Sequence, residues 1–443
     1  MSKYQKYPEY KDSGFEWLGA IPAHWGVEYS KWMFAERNDK ASREDEMLTA
    51  SQKYGVIPQK LFMKMEQQKV VQVLKGHDIL KKVECGDFVI SMRSFQGGIE
   101  YCGYSGSISS AYVPLLPRDG ISTKYYKYLF KSASYIQALQ STTNLVRDGQ
   151  ALRYSNFVQV RLPSPPKKEG DRIGSFLDHE TAKIDQLIQK QEQLITLLKE
   201  KRQAVISHAV TKGLTPDAPM KDSGVEWLGE VPEHWIVRRL KHTATLQSGI
   251  PKGKDLKDKE TINVPMLRVA NVQDGYLKLD DVHHIQIEPH DLSRYELQDG
   301  DVLMNEGGDN DKLGRGAVWR SEIKPCIHQN HVFAIRPTGI EPEWLDLLTR
   351  ASYAKFHFYR VAKQSTNLAS ISSTNIKETP LIIPPDDERR AIMEYLKGKL
   401  DKFERLEEKS LRQIGLLKEH RTALISSAVT GKIDVRHWNK EAA

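Results

Sequence analysis

Cysteine is scarce in this chain: Cys85, Cys102 and Cys326 are the only three in 443 residues. They are odd in number and far from any Cys-x-x-Cys spacing, which argues against a disulfide or zinc framework and for reduced structural thiols. Long hydrophobic runs are missing as well, none approaching the ~20 residues a membrane-spanning helix needs. The opening Met1-Ser2-Lys3-Tyr4-Gln5-Lys6 has no apolar stretch to act as a secretory signal, so a cytoplasmic location and no membrane partner are expected. Signatures of motor, nuclease and zinc chemistry are also lacking. Gly249-Ile250-Pro251-Lys252-Gly253-Lys254 has the wrong spacing and no hydroxyl for a phosphate loop. Glu322-Ile323-Lys324 and the distant Pro216-Asp217 are too short to make a metal-dependent carboxylate motif, and His24, His234, His328 and His331 fall at no zinc-binding spacing.

What is present is a globular composition, 39% hydrophobic and 28% charged, in a length that calls for two or more domains. The formal charge of +7 permits a polyanionic partner such as nucleic acid.

The chain is written twice. Lys11-Asp12-Ser13-Gly14-Phe15-Glu16-Trp17-Leu18-Gly19 recurs as Lys221-Asp222-Ser223-Gly224-Val225-Glu226-Trp227-Leu228-Gly229, and Ile21-Pro22-Ala23-His24-Trp25 as Val231-Pro232-Glu233-His234-Trp235. A second block, Leu198-Lys199-Glu200-Lys201-Arg202-Gln203-Ala204-Val205-Ile206-Ser207, returns as Leu417-Lys418-Glu419-His420-Arg421-Thr422-Ala423-Leu424-Ile425-Ser426. Each half therefore reads as opening motif, variable segment, then long helix, the second variable segment being slightly longer.

Periodicity marks the helices. Leu177, Ile184, Leu198 and Val205 recur at sevens with Leu187, Ile188, Leu194 and Ile195 between them; the second copy has Leu396, Leu400, Phe403, Leu406, Ile414, Leu417, Leu424 and Ala428. Gln191 and Ser410 are equivalent polar seam positions that could fix register. Pro165-Pro166 and Pro384-Pro385 exclude helix just upstream, Asp386 or Asp387 can cap the second helix, and Gly213 and Gly431 can end them. A helix of roughly 38 residues is about 57 Å long, too long to bury its stripe on one small domain. The expected solution is that the two copies pair with each other, antiparallel, because the chain must go out along one and return along the other.

The fold expected is α+β: two α/β-type recognition domains separated by two long helices in an antiparallel coiled coil, with a pseudo-twofold repeat. The expected divisions are residues 1–26 for the repeated motif, 27–160 for the first variable domain and 161–213 for the first spacer helix. Residues 214–236 form a linker (with Gly213, Pro216 and Pro219 near its start) and the second motif, 237–380 the second variable domain, 381–432 the second spacer helix and 433–443 a tail. Strand-like runs Gly86-Asp87-Phe88-Val89-Ile90-Ser91 and Gly300-Asp301-Val302-Leu303-Met304 sit at matching places, each followed by a polar Gly-rich loop.

The Lys-Asp-Ser-Gly-x-Glu-Trp-Leu-Gly-x-[Ile/Val]-Pro-x-His-Trp block, present twice, and the order of motif, variable domain, Pro-Pro and long helix resemble those of type I restriction-modification specificity subunits. The likeness covers nearly the whole chain. It implies that the variable segments are target recognition domains, each reading half of a bipartite site in double-stranded DNA, and that the helices are a spacer on which two methyltransferase subunits and, for restriction, two motor-nuclease subunits assemble. It further implies no catalysis by this chain and no cofactor bound by it, the complex using S-adenosylmethionine, and ATP with Mg for restriction. Members often carry Glu-Gln after the proline pair; here Glu169-Gly170 and Glu388-Arg389 stand instead. Neither Ser164-Pro165-Pro166-Lys167 nor Ile383-Pro384-Pro385-Asp386 is the Asn/Asp-Pro-Pro-aromatic loop of an amine methyltransferase. The dissimilar variable segments imply an asymmetric target, with half-site centres about 34 Å apart if both lie on one face of the duplex.

Reading bases needs paired donors and acceptors, Arg or Lys for guanine and Asn or Gln for adenine. Candidates in the first domain are Arg93, Ser94 and Gln96, where Gly97 and Gly98 let backbone come close; those in the second are Asn305, Asn310, Lys312 and Arg315 on an acidic Gly-rich loop. A second matched pair of loops offers Thr143 and Asn144, and Thr366 and Asn367. Lys60, Lys64, Arg147 and Arg153 would supply phosphate contacts that position without specifying. Trp17, Trp25, Trp227 and Trp235 have the same context in halves that read different bases, so they are expected to pack the opening motif on the helix ends or a partner subunit, with Leu187, Leu194, Leu198, Leu406 and Leu417 serving pairing or docking.

Overall fold

A computed structural model of the chain describes residues 4–67, 79–143, 152–251, 253, 256–308, 313–364 and 369–439. It divides into two compact units, Met1–Gln191 with Leu411–Ala443, and Glu192–Ser410. Each contains one opening motif, one variable segment and part of both long helices.

In the first unit the variable segment is built on a four-stranded antiparallel sheet in the order Phe34–Glu36, Val113–Pro117, Phe88–Ile90, Glu100–Tyr101. Phe34 and Phe88 meet edge to face at 5.7 Å and pack with Tyr126, Phe130 and Phe157 of the helical layer. A smaller core of Val56, Val83, Val89, Cys102 and Ile108 seats the hairpin Leu48–Ser51/Gly55–Pro58. At the neck, Gly26–Tyr29 pairs antiparallel with Arg161–Ser164, so the variable segment ends beside its own beginning.

The second unit repeats this plan with different residues. Its sheet runs Ala244–Ser248, Val332–Pro337, Val302–Asn305, Gly316–Val318, and its neck pairs Ile236–Arg239 with Pro380–Ile383. The matched runs after Gly86 and Gly300 are central strands in both sheets. Both glycines have positive φ (101° and 87°), and the aspartate after each is buried and held by an arginine fork, Arg37 on Asp87 and Arg336 on Asp301.

The long helices are Lys167–Lys212 and Asp386–Val429, 46 and 44 residues, longer than the expected 38 or so because each starts immediately after its proline pair. Asp386 and Asp387 fall inside the first turn, paired with Arg389 and Arg390. Gly213 and Gly431 follow the helices in left-handed conformation, φ 75° and 72°. Pairing is antiparallel within each unit. In the first, Leu177 and Ile184 share a core with Leu424 and Ala428, and Asp185 pairs with Arg421 at 3.0 Å. In the second, Ile206, Ala209 and Val210 share a core with Ile392 and Leu396, and Lys199 pairs with Glu407 at 3.2 Å.

The seam register corrects part of the expectation. Positions 177, 181, 184 and 188 of the first helix are buried or half-buried at alternating steps of four and three, and Leu198 and Leu417 lie on the seam. Leu187, Leu194 and Leu406 each stand one residue before a seam position (Ile188, Ile195 and Glu407) and are 48%, 41% and 47% exposed. A one-residue step turns a side chain about 100° around the helix, which takes these leucines out of the seam. Among the described residues no helix is long and apolar enough to cross a membrane.

Candidate nucleic-acid interface

The opening motif supplies the rigid support. Glu169, in the first turn of the long helix and only 8% exposed, accepts hydrogen bonds from Tyr7 Oη (2.6 Å) and Trp25 Nε1 (2.9 Å) and meets His24 Nε2 at 2.7 Å. Burial and the carboxylate together raise the Tyr7 hydroxyl pKa far above its ordinary value, keeping it a donor. The far end of the other helix closes on the same spot: a Cβ on Gly431 would sit 2.3 Å from Pro22 Cδ and 3.3 Å from Trp25 Cη2. The second unit repeats the junction, with Glu388 accepting from Trp235 Nε1 (3.0 Å) and meeting His234 Nε2 at 2.7 Å, while a Cβ on Gly213 would lie 3.2 Å from the Trp235 ring. Trp25 and Trp235 are thus internal pegs. Trp17 is half-buried edge-on to Tyr135 at 5.9 Å, and Trp227 stacks on His357 at 5.6 Å under the Arg360 guanidinium. The repeated Pro-Pro-x-x-Glu was the visible signal for Glu169 and Glu388, which the sequence marks as departures from Glu-Gln without revealing their role as acceptors.

The structure draws the sequence-chosen loops together. In the first unit Gln140 Nε2 donates to the Phe95 carbonyl (2.7 Å), joining the loop after Arg93 to the one ending at Thr143. Asn156 Nδ2 donates to the Thr142 carbonyl, and its Oδ1 accepts from the Arg153 N–H, which brings Arg153 alongside. Gln52 Nε2 reaches the Arg93 carbonyl from the tip of the hairpin that precedes the helix Gln59–Glu66, on which Lys60 and Lys64 are exposed. Arg93, Gln96 and Arg153 are exposed; the Thr143 hydroxyl turns back to the Gln140 carbonyl at 2.7 Å. In the second unit the small sheet Gly307–Gly308, Ala369–Ser370, Lys363–Gln364 joins the two corresponding loops. There Glu306 pairs with His331 at 2.7 Å, and Arg315 is half-buried at a basic cavity. Asn144, Arg147, Asn310, Lys312, Thr366 and Asn367 lie outside the described residues.

Two candidates are corrected. Ser94 is fully buried, its hydroxyl accepting the Ser91 N–H at 2.8 Å, so it shapes the turn. Asn305 is also buried, its amide donating to the Val269 and Val272 carbonyls, which pins the preceding loop. Both are short polar side chains beside a strand end, where satisfying local backbone competes with facing solvent. Gly98 likewise serves the interior: with φ 79°, a Cβ there would strike the Phe130 carbonyl oxygen at 2.0 Å.

Residues 232–415 match the family model described as the type I restriction modification DNA specificity domain. The specificity subunit of the type I restriction enzyme EcoKI of Escherichia coli K12 is 23% identical over 82% of this chain and 77% of its own length, and that of StySPI of Salmonella potsdam 23% over 82% and 77%. Along most of its length this chain is similar to type I restriction-modification specificity subunits, with their DNA specificity domain matched over residues 232–415. The fold agrees with that likeness: a chain from a type I system, solved in work on complex assembly and conformational transition, has a TM-score of 0.65 at 14% identity, covering 92% of this chain and 98% of itself. The HsdS subunit of Thermoanaerobacter tengcongensis has a TM-score of 0.51 at 14% identity, covering 93% and 98%. The chain is thus a mixed helix-and-strand protein with two long helices, as its repeat led one to expect.

Proposed function

We propose that this chain is a type I specificity subunit that selects a split, asymmetric DNA sequence, each variable segment reading one half, and that it performs no chemistry itself. The observation that carries this reading is the convergence of two polar loops on the same corner of each variable domain, on one framework but with different residues at the tips. Arg93, Gln96 and Arg153, with Lys60 and Lys64 beside them, form the first reader's face. Donors of this kind can pair with base edges or phosphates. Methyl transfer would come from two methyltransferase subunits using S-adenosylmethionine, and cleavage from two motor-nuclease subunits using ATP and Mg. The exposed leucines of the long helices, Leu187 in one unit and Leu194 and Leu406 in the other, would give each unit its own apolar docking points for these subunits. The helix pair would act as spacer between the readers, so heptad insertions in both helices change the unread gap and leave the half-sites intact.

The test is to map methylated adenines in a genome carrying this chain with its methyltransferase partner. Arg93→Ala with Gln96→Ala is expected to relax one half of the motif, at a cost of about 1–3 kcal/mol per lost bidentate contact, while the other half stays as it was. Methylation or cleavage of DNA by the purified chain alone would overturn the reading.

A further inference from the structure

Beside the second reader, within the Glu192–Ser410 unit, a cavity of about 370 Å³ opens where the long helix meets the variable domain. Five cations line it: Lys199, Arg202, Arg315, Arg350 and Lys355. Only two carboxylates, Asp274 and Glu407, share the lining. Lys199 takes Glu407 at 3.2 Å, and Arg350 takes Asp274 at 3.3 Å with Asp346 behind it. Lys355 donates to the neutral Gln203 Oε1 at 2.9 Å and stands 3.9 Å from Asp274. Arg350 is only 4% exposed and is held by its two aspartates, whereas the Nε of Arg202 is buried with no hydrogen-bond partner. Buried donors left without acceptors are costly, and like charges crowded in a low-dielectric wall repel. Burial and the neighbouring guanidinium of Arg350 hold the Arg202 pKa below its ordinary value. Burial does the same to Lys355, where Arg350, Arg315 and Arg202 add to the lowering.

We infer that this cavity is a binding site for a phosphate group, taken up through the unpartnered Nε edge of Arg202 and the ammonium of Lys355. Planar arginine donors suit phosphate oxygens, and an anion here would complete the unsatisfied Arg202 Nε–H and give Lys355 a charged partner closer than Asp274 at 3.9 Å. The inference stands on the cavity's own donors, Arg202 and Lys355, whichever bases the readers select. The phosphate can arrive from two sources, a free polyphosphate or the backbone of DNA held by the adjoining reader.

The full-length chain, alone and in complex with its methyltransferase subunits, is titrated with inorganic tripolyphosphate at low salt, following both thermal stability and calorimetric heat. Tripolyphosphate is expected to raise Tm and to bind saturably. Arg202→Gln and Lys355→Gln should each weaken binding at least tenfold, whereas Arg202→Lys, which keeps the charge but not the planar Nε–H, retains only part of it. Arg421→Gln, at the repeat-equivalent position in the other unit, should leave it unchanged. If the source is DNA, tripolyphosphate competes with a target duplex and Arg202→Gln lowers the salt slope of DNA binding by about one; if the source is free phosphate, the duplex and tripolyphosphate bind independently. No saturable binding, or equal loss in the Arg202 and Arg421 variants, together with an unchanged salt slope, overturns the inference. Loss of base preference with tripolyphosphate binding intact would instead count against the DNA-reading role alone.

Discussion

The crevice between reader and long helices occurs in both units, and its charge is handled in opposite ways. In the Met1–Gln191/Leu411–Ala443 unit each cation has a carboxylate of its own: Lys127 on Asp178 (3.0 Å), Lys131 on Glu100 (2.5 Å), Arg421 on Asp185 (3.0 Å), Lys53 on Glu66 (3.1 Å). In the Glu192–Ser410 unit the equivalent of Arg421, Arg202, is half-buried with its Nε unsatisfied, and Lys355 leans on a glutamine. The backbone frame, the buried tryptophan and the glutamate that receives it are the same in both. Duplication has kept what closes the junction and let the electrostatics of the crevice drift apart.

The largest effect should follow from removing what the units share. Trp25→Ala and Trp235→Ala each empty a fully buried indole site and should cost about 3–5 kcal/mol, read by urea denaturation. If losing either peg destabilises by much less than this, the junctions do not carry the units' stability. Next in size, Glu169→Gln should cost more than Glu388→Gln, about 2–3 against about 1 kcal/mol. Glu169 is 8% exposed and receives Tyr7, His24 and Trp25, whereas Glu388 is 29% exposed and receives His234 and Trp235. Equal losses would erase that asymmetry.

The smallest effect concerns pH and the first crevice alone. Burial pushes the Glu100 carboxyl up to about 7, with Lys131 pulling against it and Oε2 left without a partner. The folded state then holds a proton that the unfolded state releases between about pH 4.5 and 7, so this group's contribution to stability falls as pH rises through that window. Glu100→Gln should flatten the decline in Tm between pH 5 and pH 8 by about 2–4 °C. An unchanged pH profile would show that Glu100 is ionised throughout.

The repeat, the helix limits set by Pro165-Pro166, Pro384-Pro385, Gly213 and Gly431, and the structural part of the tryptophans were legible because each rests on local chemistry. Which leucines face the seam was not: Leu187, Leu194 and Leu406 fit an apolar pattern, but the register is set by partners far along the chain. Ser94 and Asn305 resemble surface donors in composition, yet a strand end a few residues away turns each inward. The cations of the second crevice come from residues 199 to 355, a clustering that only the fold brings about. The pairing of Gln140 with the Phe95 carbonyl is of the same kind, joining two loops whose separate motifs gave no hint of contact.

The neck of each variable segment carries one more consequence. Gly26–Tyr29 lies against Arg161–Ser164, and Ile236–Arg239 against Pro380–Ile383, so everything between the paired strands leaves and rejoins the frame at a single doorway. Recombination that replaces the interior in one block therefore inherits a finished attachment, and a new target preference can arise in one genetic step without the scaffold having to be refolded around it.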